Sequence, residues 1–353
     1  MSNPVHTSRV LVVRALAPVA IVGALSCGGG GGGSPTAPPS GTLQPPGNLS
    51  VGTVSLRDRS VPLSWGQSPG ATAYVIEVGS SAGAANLATI TTPNASPSFT
   101  LTDAPLGQSF VRVRARNDAA TSSPSATVPF NVVDFQEFVE ALLLGTGPLQ
   151  APNDPLPCVN LPGGLTRGVL HGFARGSDVR ILVASAVSAG NQQVIREMSG
   201  AIPEATAGRL MTTFDLSDSQ DPPPRDDQIT IAHAADTVPL CGSAIICGPG
   251  PIFRGNAVVT WAKFTYSAAI WDVPSVHEIA HVLGMCHING DLTGGRPNNS
   301  LMGSLSVLPT SGPDSHAPRL SAWDIEALQA VYGSPLSPGA VKSDFVAAGL
   351  AKP

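Results

Sequence analysis

The stretch that decides the fold of the second half of this chain is His277-Glu278-Ile279-Ala280-His281-Val282-Leu283-Gly284-Met285-Cys286-His287. On a helix, residues four apart leave the same face, so His277 and His281 can grip one ion. Glu278 lies beside the first of them and can serve as general base toward a water on that ion. Gly284 can take a positive φ, which ends the helix and turns the chain. That turn lets His287 return as a third ligand. Three protein ligands leave one tetrahedral position open for water, as in a catalytic zinc site, whereas structural sites are closed by four. The bland alternative is an amphipathic helix with its histidines in solvent. Ile279, Ala280, Val282 and Leu283 argue against it, because they make the other faces apolar. Such a helix is buried, and buried histidines need partners.

Two further stretches belong with this motif. Asn298-Asn299-Ser300-Leu301-Met302-Gly303-Ser304 supplies a methionine fifteen residues past His287. Leu320 to Gly333 is a well-signalled helix: Ser321 as N-cap, Asp324 as the acidic half of a capping box, and Gly333 as C-cap. Its expected buried stripe is Ile325, Leu328 and either Val331 or Tyr332. Together the three stretches resemble the metzincin metallopeptidases, specifically a matrixin-like catalytic domain with its Met-turn and last helix. The resemblance implies an α+β domain holding one catalytic Zn²⁺ on His277, His281 and His287, with Glu278 as general base. It implies for Met302 a hydrophobic floor beneath the ion and no chemical role. Ser304 stands where some metzincins carry a transition-state tyrosine, so no such residue is assigned.

The 353 residues leave room for two domains and tails. Net charge is −5 with 12% charged residues, which excludes a basic nucleic-acid surface. Glycine (38) and proline (34) are abundant, as expected of a loop-rich, β-containing exported protein. Residues 1–26 read as a signal peptide: Arg9 and Arg14 are its positive region, and the apolar run from Ala15 to Ser26 is too short to span a bilayer. Ala24-Leu25-Ser26-Cys27 resembles a bacterial lipobox, implying lipid on Cys27 and attachment to the cell envelope; plain secretion is the alternative. Residues 27–43, opening with Gly28 to Gly33 and continuing through Pro-rich sequence, read as a flexible tether.

Four cysteines remain: Cys158, Cys241, Cys247 and Cys286. An even number in an exported chain suggests two disulfides. Cys241 with Cys247 would close a small loop and leave Cys158 for Cys286, although three connectivities exist. A thiolate ligand at Cys286 is the other reading.

Residues 44–133 alternate as β-strands punctuated by Pro, Gly, Asn and Ser turns. In Phe110 to Asn117, Val111, Val113 and Ala115 share one face while Arg112, Arg114 and Arg116 share the other, which predicts a half-solvated antiparallel strand. The segment resembles a fibronectin type III domain, with Trp65 and Tyr74 at its core positions and Phe110 where the family usually has tyrosine. Its expected role is spacing or adhesion. Residues 134–335 then form the peptidase-like domain. It opens with a short helix from Asp134 to Leu144, then strands at 179–184, 210–216, 228–232 and 256–264, and a helix at 191–202. Residues 336–353 read as a flexible tail. The chain is thus expected to be multidomain: an all-β sandwich followed by an α+β zinc peptidase domain, monomeric, acting outside the cell on protein or peptide substrates. A surface adhesion lipoprotein with an inactive metal site is the competing expectation, and a zinc hydrolase of non-peptide bonds a third.

Overall fold

The computed structural model describes residues 43–150, 167–233, 246–255, 257–266, 273–288, 300–302 and 320–353. The signal peptide, Cys27, most of the tether, Cys158, Cys241, the Cys247 side chain and Ser304 lie outside the described residues.

Alternation of apolar and polar residues builds two antiparallel sheets in the first hundred or so residues. One has the order β1 (Ser50–Val51), β2 (Val61–Ser64), β5 (Ser98–Leu101); the other β4 (Ala88–Thr91), β3 (Ala73–Gly79), β6 (Gly107–Arg116), β7 (Val128–Val132). In β6 the expected division of faces holds. Val111, Val113 and Ala115 are fully buried, while Arg112 and Arg114 fork onto Glu77 of the neighbouring β3. Trp65 meets Tyr74 edge-on, their centroids 5.1 Å apart, and the Tyr74 hydroxyl accepts from the Ser68 N–H. Phe110 lies on the outer face with the arginines, so it takes no part in that core.

Helix α1 (Phe135–Leu144) follows, capped by Asp134 and closed by Gly145 in the left-handed region. It is buried from Phe138 to Leu144, all round rather than on one stripe. The third sheet has the order β10 (Met211–Ser217), β9 (Asp178–Ala184), β11 (Gln228–His233), β13 (Val258–Tyr266), β12 (Ile246–Arg254), with the short β8 (Gly172–Phe173) alongside β13. All pairings are parallel except that of β12, which runs antiparallel along the edge. Helix α2 (Ala189–Ala205) makes the crossover from β9 to β10. Sequence reading missed β12, because Ile246-Cys247-Gly248-Pro249-Gly250-Pro251 carries prolines and glycines that argue against a strand. Its place at a sheet edge explains why they are tolerated.

Helix α3 (Val273–Val282) follows β13 and packs against α2. Helix α4 (Ala322–Gly333) carries the expected capping box: Ser321 accepts from the Asp324 N–H, and Asp324 accepts from the Ser321 N–H. The expectation of a flexible tail at 336–353 is corrected. That segment folds back through α5 (Lys342–Ala347), fully burying Phe345, and Lys352 pairs with Asp134 and Glu137 of α1. Small residues hid a segment held by one aromatic anchor and backbone bonds to Leu170. Residues 42–353 form one compact unit.

Candidate metal centre

Around its two histidines helix α3 is apolar. Val276, Ile279, Ala280, Val282 and Leu283 are buried, as are His277 and His281. Gly284 then turns the chain at φ +96°, where a Cβ would come within 2.3 Å of the His171 carbonyl oxygen. Only glycine fits both the dihedral and the approach. The turn is pinned by the Gly284 N–H on the His281 carbonyl and the Met285 N–H on the Ala280 carbonyl. The Cys286 N–H donates to Leu142 O of α1 at 2.6 Å, which fixes the returning strand of chain against that helix.

This return brings His287 to the other two histidines. Its Nε2 lies 3.0 Å from Nε2 of His277 and 3.2 Å from Nε2 of His281. On the outer side, His277 Nδ1 faces Leu301 O at 3.2 Å and His281 Nδ1 faces Met285 O at 2.7 Å. A carbonyl can only accept, so both Nδ1 atoms carry the proton and both Nε2 atoms present lone pairs to a common point. Burial, together with the neighbouring imidazoles, keeps these rings neutral: it lowers His277 to about 4 and His281 well below its ordinary value. Hydrogen bonding among the three cannot satisfy the cluster, since one proton on His287 Nε2 can serve only one of its two partners. A cation can satisfy all three. Tetrahedral zinc with Zn–N bonds of about 2.0–2.1 Å puts its nitrogens about 3.3 Å apart, close to the spacings found. The donor set fits zinc, and among the described residues it is the one cluster of three or more such groups able to hold an ion.

Glu278 shares the helix but not the cluster. Burial raises its carboxyl to about 7, and it makes no hydrogen bond or ion pair among the described residues. A carboxyl poised near neutrality on the helix that carries two of the imidazoles is suited to moving a proton.

Met302 is buried in a short turn whose backbone touches the site on both sides. The Leu301 carbonyl orients His277, and the Met302 carbonyl accepts from the Ile288 N–H, just past His287. The anchor of this turn is Asp324. Its carboxylate accepts from the Ser300 hydroxyl at 2.6 Å and the Leu301 N–H at 2.8 Å, besides capping its own helix. Burial pushes this carboxyl above its ordinary value, against the donors from Ser300, Leu301 and Ser321 that pull it down. Sequence reading had Asp324 only as a cap; the capping box was legible, its second role was not. Tyr332 was also missed as a support: its hydroxyl donates to Leu283 O at 3.1 Å, and the Arg175 guanidinium covers its ring. Cys286 is disulfide-bonded, so no thiolate ligand stands there.

No family model matches this chain. No curated protein matches it either. Among solved structures, similarity falls on fibronectin type III domains over about a quarter of the chain. One is an Fn3-like protein from Clostridium thermocellum, 22% identical over 26% of this chain and 95% of that one, with a TM-score of 0.24. Another is the fibronectin type III domain of human fibronectin type III domain containing protein 3, 15% identical over 28% of this chain and 94% of that one, with a TM-score of 0.22.

Proposed function

We propose that the chain is a zinc-dependent endopeptidase acting outside the cell, of metzincin-like, matrixin-like character. The observation that carries the reading is the convergence of three imidazole Nε2 atoms, two of them oriented from behind by backbone carbonyls; the helix that bears those two also bears Glu278. His277, His281 and His287 would hold the ion. When bound, zinc polarises a scissile carbonyl and lowers the pKa of an attacking water toward neutrality. Glu278 takes the proton from that water and delivers it to the leaving amine. The Leu301 and Met285 carbonyls keep both helical imidazoles in the tautomer that coordinates. Met302 fills space beneath the cluster. Export, with a lipid anchor on Cys27 and the Cys158–Cys286 and Cys241–Cys247 pairings, belongs to the same reading.

The test is Glu278→Ala in the full chain. Zinc should remain bound while hydrolysis of casein or gelatin falls by about 10²- to 10⁴-fold. Undiminished hydrolysis overturns the assignment. The sandwich and the Gly/Pro-rich tether favour a second reading, a binding lipoprotein with an inert site; it would show zinc bound but no chelator-sensitive cleavage in the wild-type chain.

A further inference from the structure

Helix α4 faces two ways within four residues. Asp324 holds the Ser300–Leu301 turn, and through the Leu301 carbonyl it fixes His277 Nδ1. Trp323 and Glu326 reach instead into the β-sandwich. The Trp323 indole N–H donates to Val54 O at 2.9 Å, and its ring packs edge-on against Phe138 of α1 at 5.8 Å. Glu326 accepts the Leu56 N–H on one oxygen, at 2.8 Å, and the Ser55 hydroxyl on the other. Val54, Leu56 and Trp323 are all buried at this junction, within one continuous apolar core.

We propose that the β-sandwich is a positioning element of the metal centre, acting through Glu326 and Trp323 on α4, rather than an exchangeable spacer. The inference rests on reading the three histidines as a metal site. Its physical basis is that a helix moves as a rigid body. A shift of α4 displaces the Asp324 carboxylate, and with it the carbonyl that sets the His277 ring and tautomer. Groups behind a ligand govern metal affinity through such orientation. Hydrogen bonds that a carboxylate accepts from backbone and hydroxyl donors are among the stronger ones and hold the helix along its axis.

The test is Zn²⁺ affinity of the full chain, measured by competition with a chromophoric chelator well below the melting temperature. Glu326→Ala should weaken binding by about 10-fold. Glu326→Gln retains a carbonyl oxygen for the Leu56 N–H and should recover most of that affinity. Trp323→Phe, which keeps a ring but removes the indole donor, should weaken binding as well, and it carries the comparison if Glu326→Ala does not fold. Val113→Ala in the sandwich interior is the control: it should lower the melting temperature and leave affinity unchanged. Wild-type affinity in the Glu326→Ala and Trp323→Phe chains overturns the proposal and leaves the metal site standing. Equal weakening by Val113→Ala also overturns it, by reducing the effect to general instability. His277→Ala marks the other failure: if it binds Zn²⁺ as tightly as the wild type, the metal reading falls and the proposal falls with it.

Discussion

At the scale of single residues, what could be read was what depends on neighbours along the chain. The four-residue spacing of His277 and His281 and the glycine three residues on are local facts, and the folded chain uses both. What could not be read were partners that are backbone atoms, such as the Leu301 and Met285 carbonyls, because a carbonyl has no letter of its own. Glu77 shows the same limit in the sandwich. The arginine face of β6 was legible from alternation, but not that one carboxylate would serve two guanidiniums. Burial pushes the Glu77 carboxyl up, yet the hydrogen bonds and charges of Arg112 and Arg114 outweigh it and hold it below its usual value near 4.5. A carboxyl lowered in the folded state stabilises the fold above its ordinary pKa, and that contribution disappears as pH falls through the folded value. Glu77→Gln should therefore cost about 1 kcal/mol at pH 7. Urea unfolding of both chains should show the gap closing on acidification below pH 4.5. Curves that stay parallel down to pH 3 would refute the assignment of the fork as a stabilising element.

At the scale of elements, legibility followed the strength of the local signal. Helix α4 begins where its capping box says, and β9, β10, β11 and β13 lie within a few residues of their expected spans. The edge strand β12 was invisible because its Pro and Gly content is tolerated only by an edge, and edges are a property of the sheet. Helix α5 was invisible for a different reason: six residues with one aromatic have no periodicity to detect. Its hold is tertiary. Phe345 is fully buried, and the Leu350 N–H closes back on the Phe345 carbonyl. Phe345→Ala should cost about 3–5 kcal/mol, as truncation of a buried aromatic does. A far smaller loss in chemical denaturation would restore the flexible tail that composition alone suggests.

At the scale of the whole molecule, the passage from β7, which ends at Val132, to α1, which begins at Phe135, is a change of topology from strand to helix. It is not a boundary in packing. The apolar core runs continuously through Val54, Leu56, Phe138 and Trp323, and residues 42–353 form one unit. Sequence patterning finds domain limits from changes in period, and it has no means of sensing that two faces will be buried on each other. A ligand that binds only the folded chain then stabilises everything that unfolds with its site. Zinc at about 100 times its dissociation constant adds about 2.7 kcal/mol. With an unfolding entropy of about 2.1 cal/mol/K per residue, that raises the melting temperature of a unit this size by about 4 °C. Hydrogen exchange should report the same protection at the β6 amides of the sandwich as at those of β13, beside α3, and a chelator should remove both together. Two calorimetric transitions, only one of them shifting with zinc, would show instead that the sandwich unfolds on its own and that the shared core does not couple them.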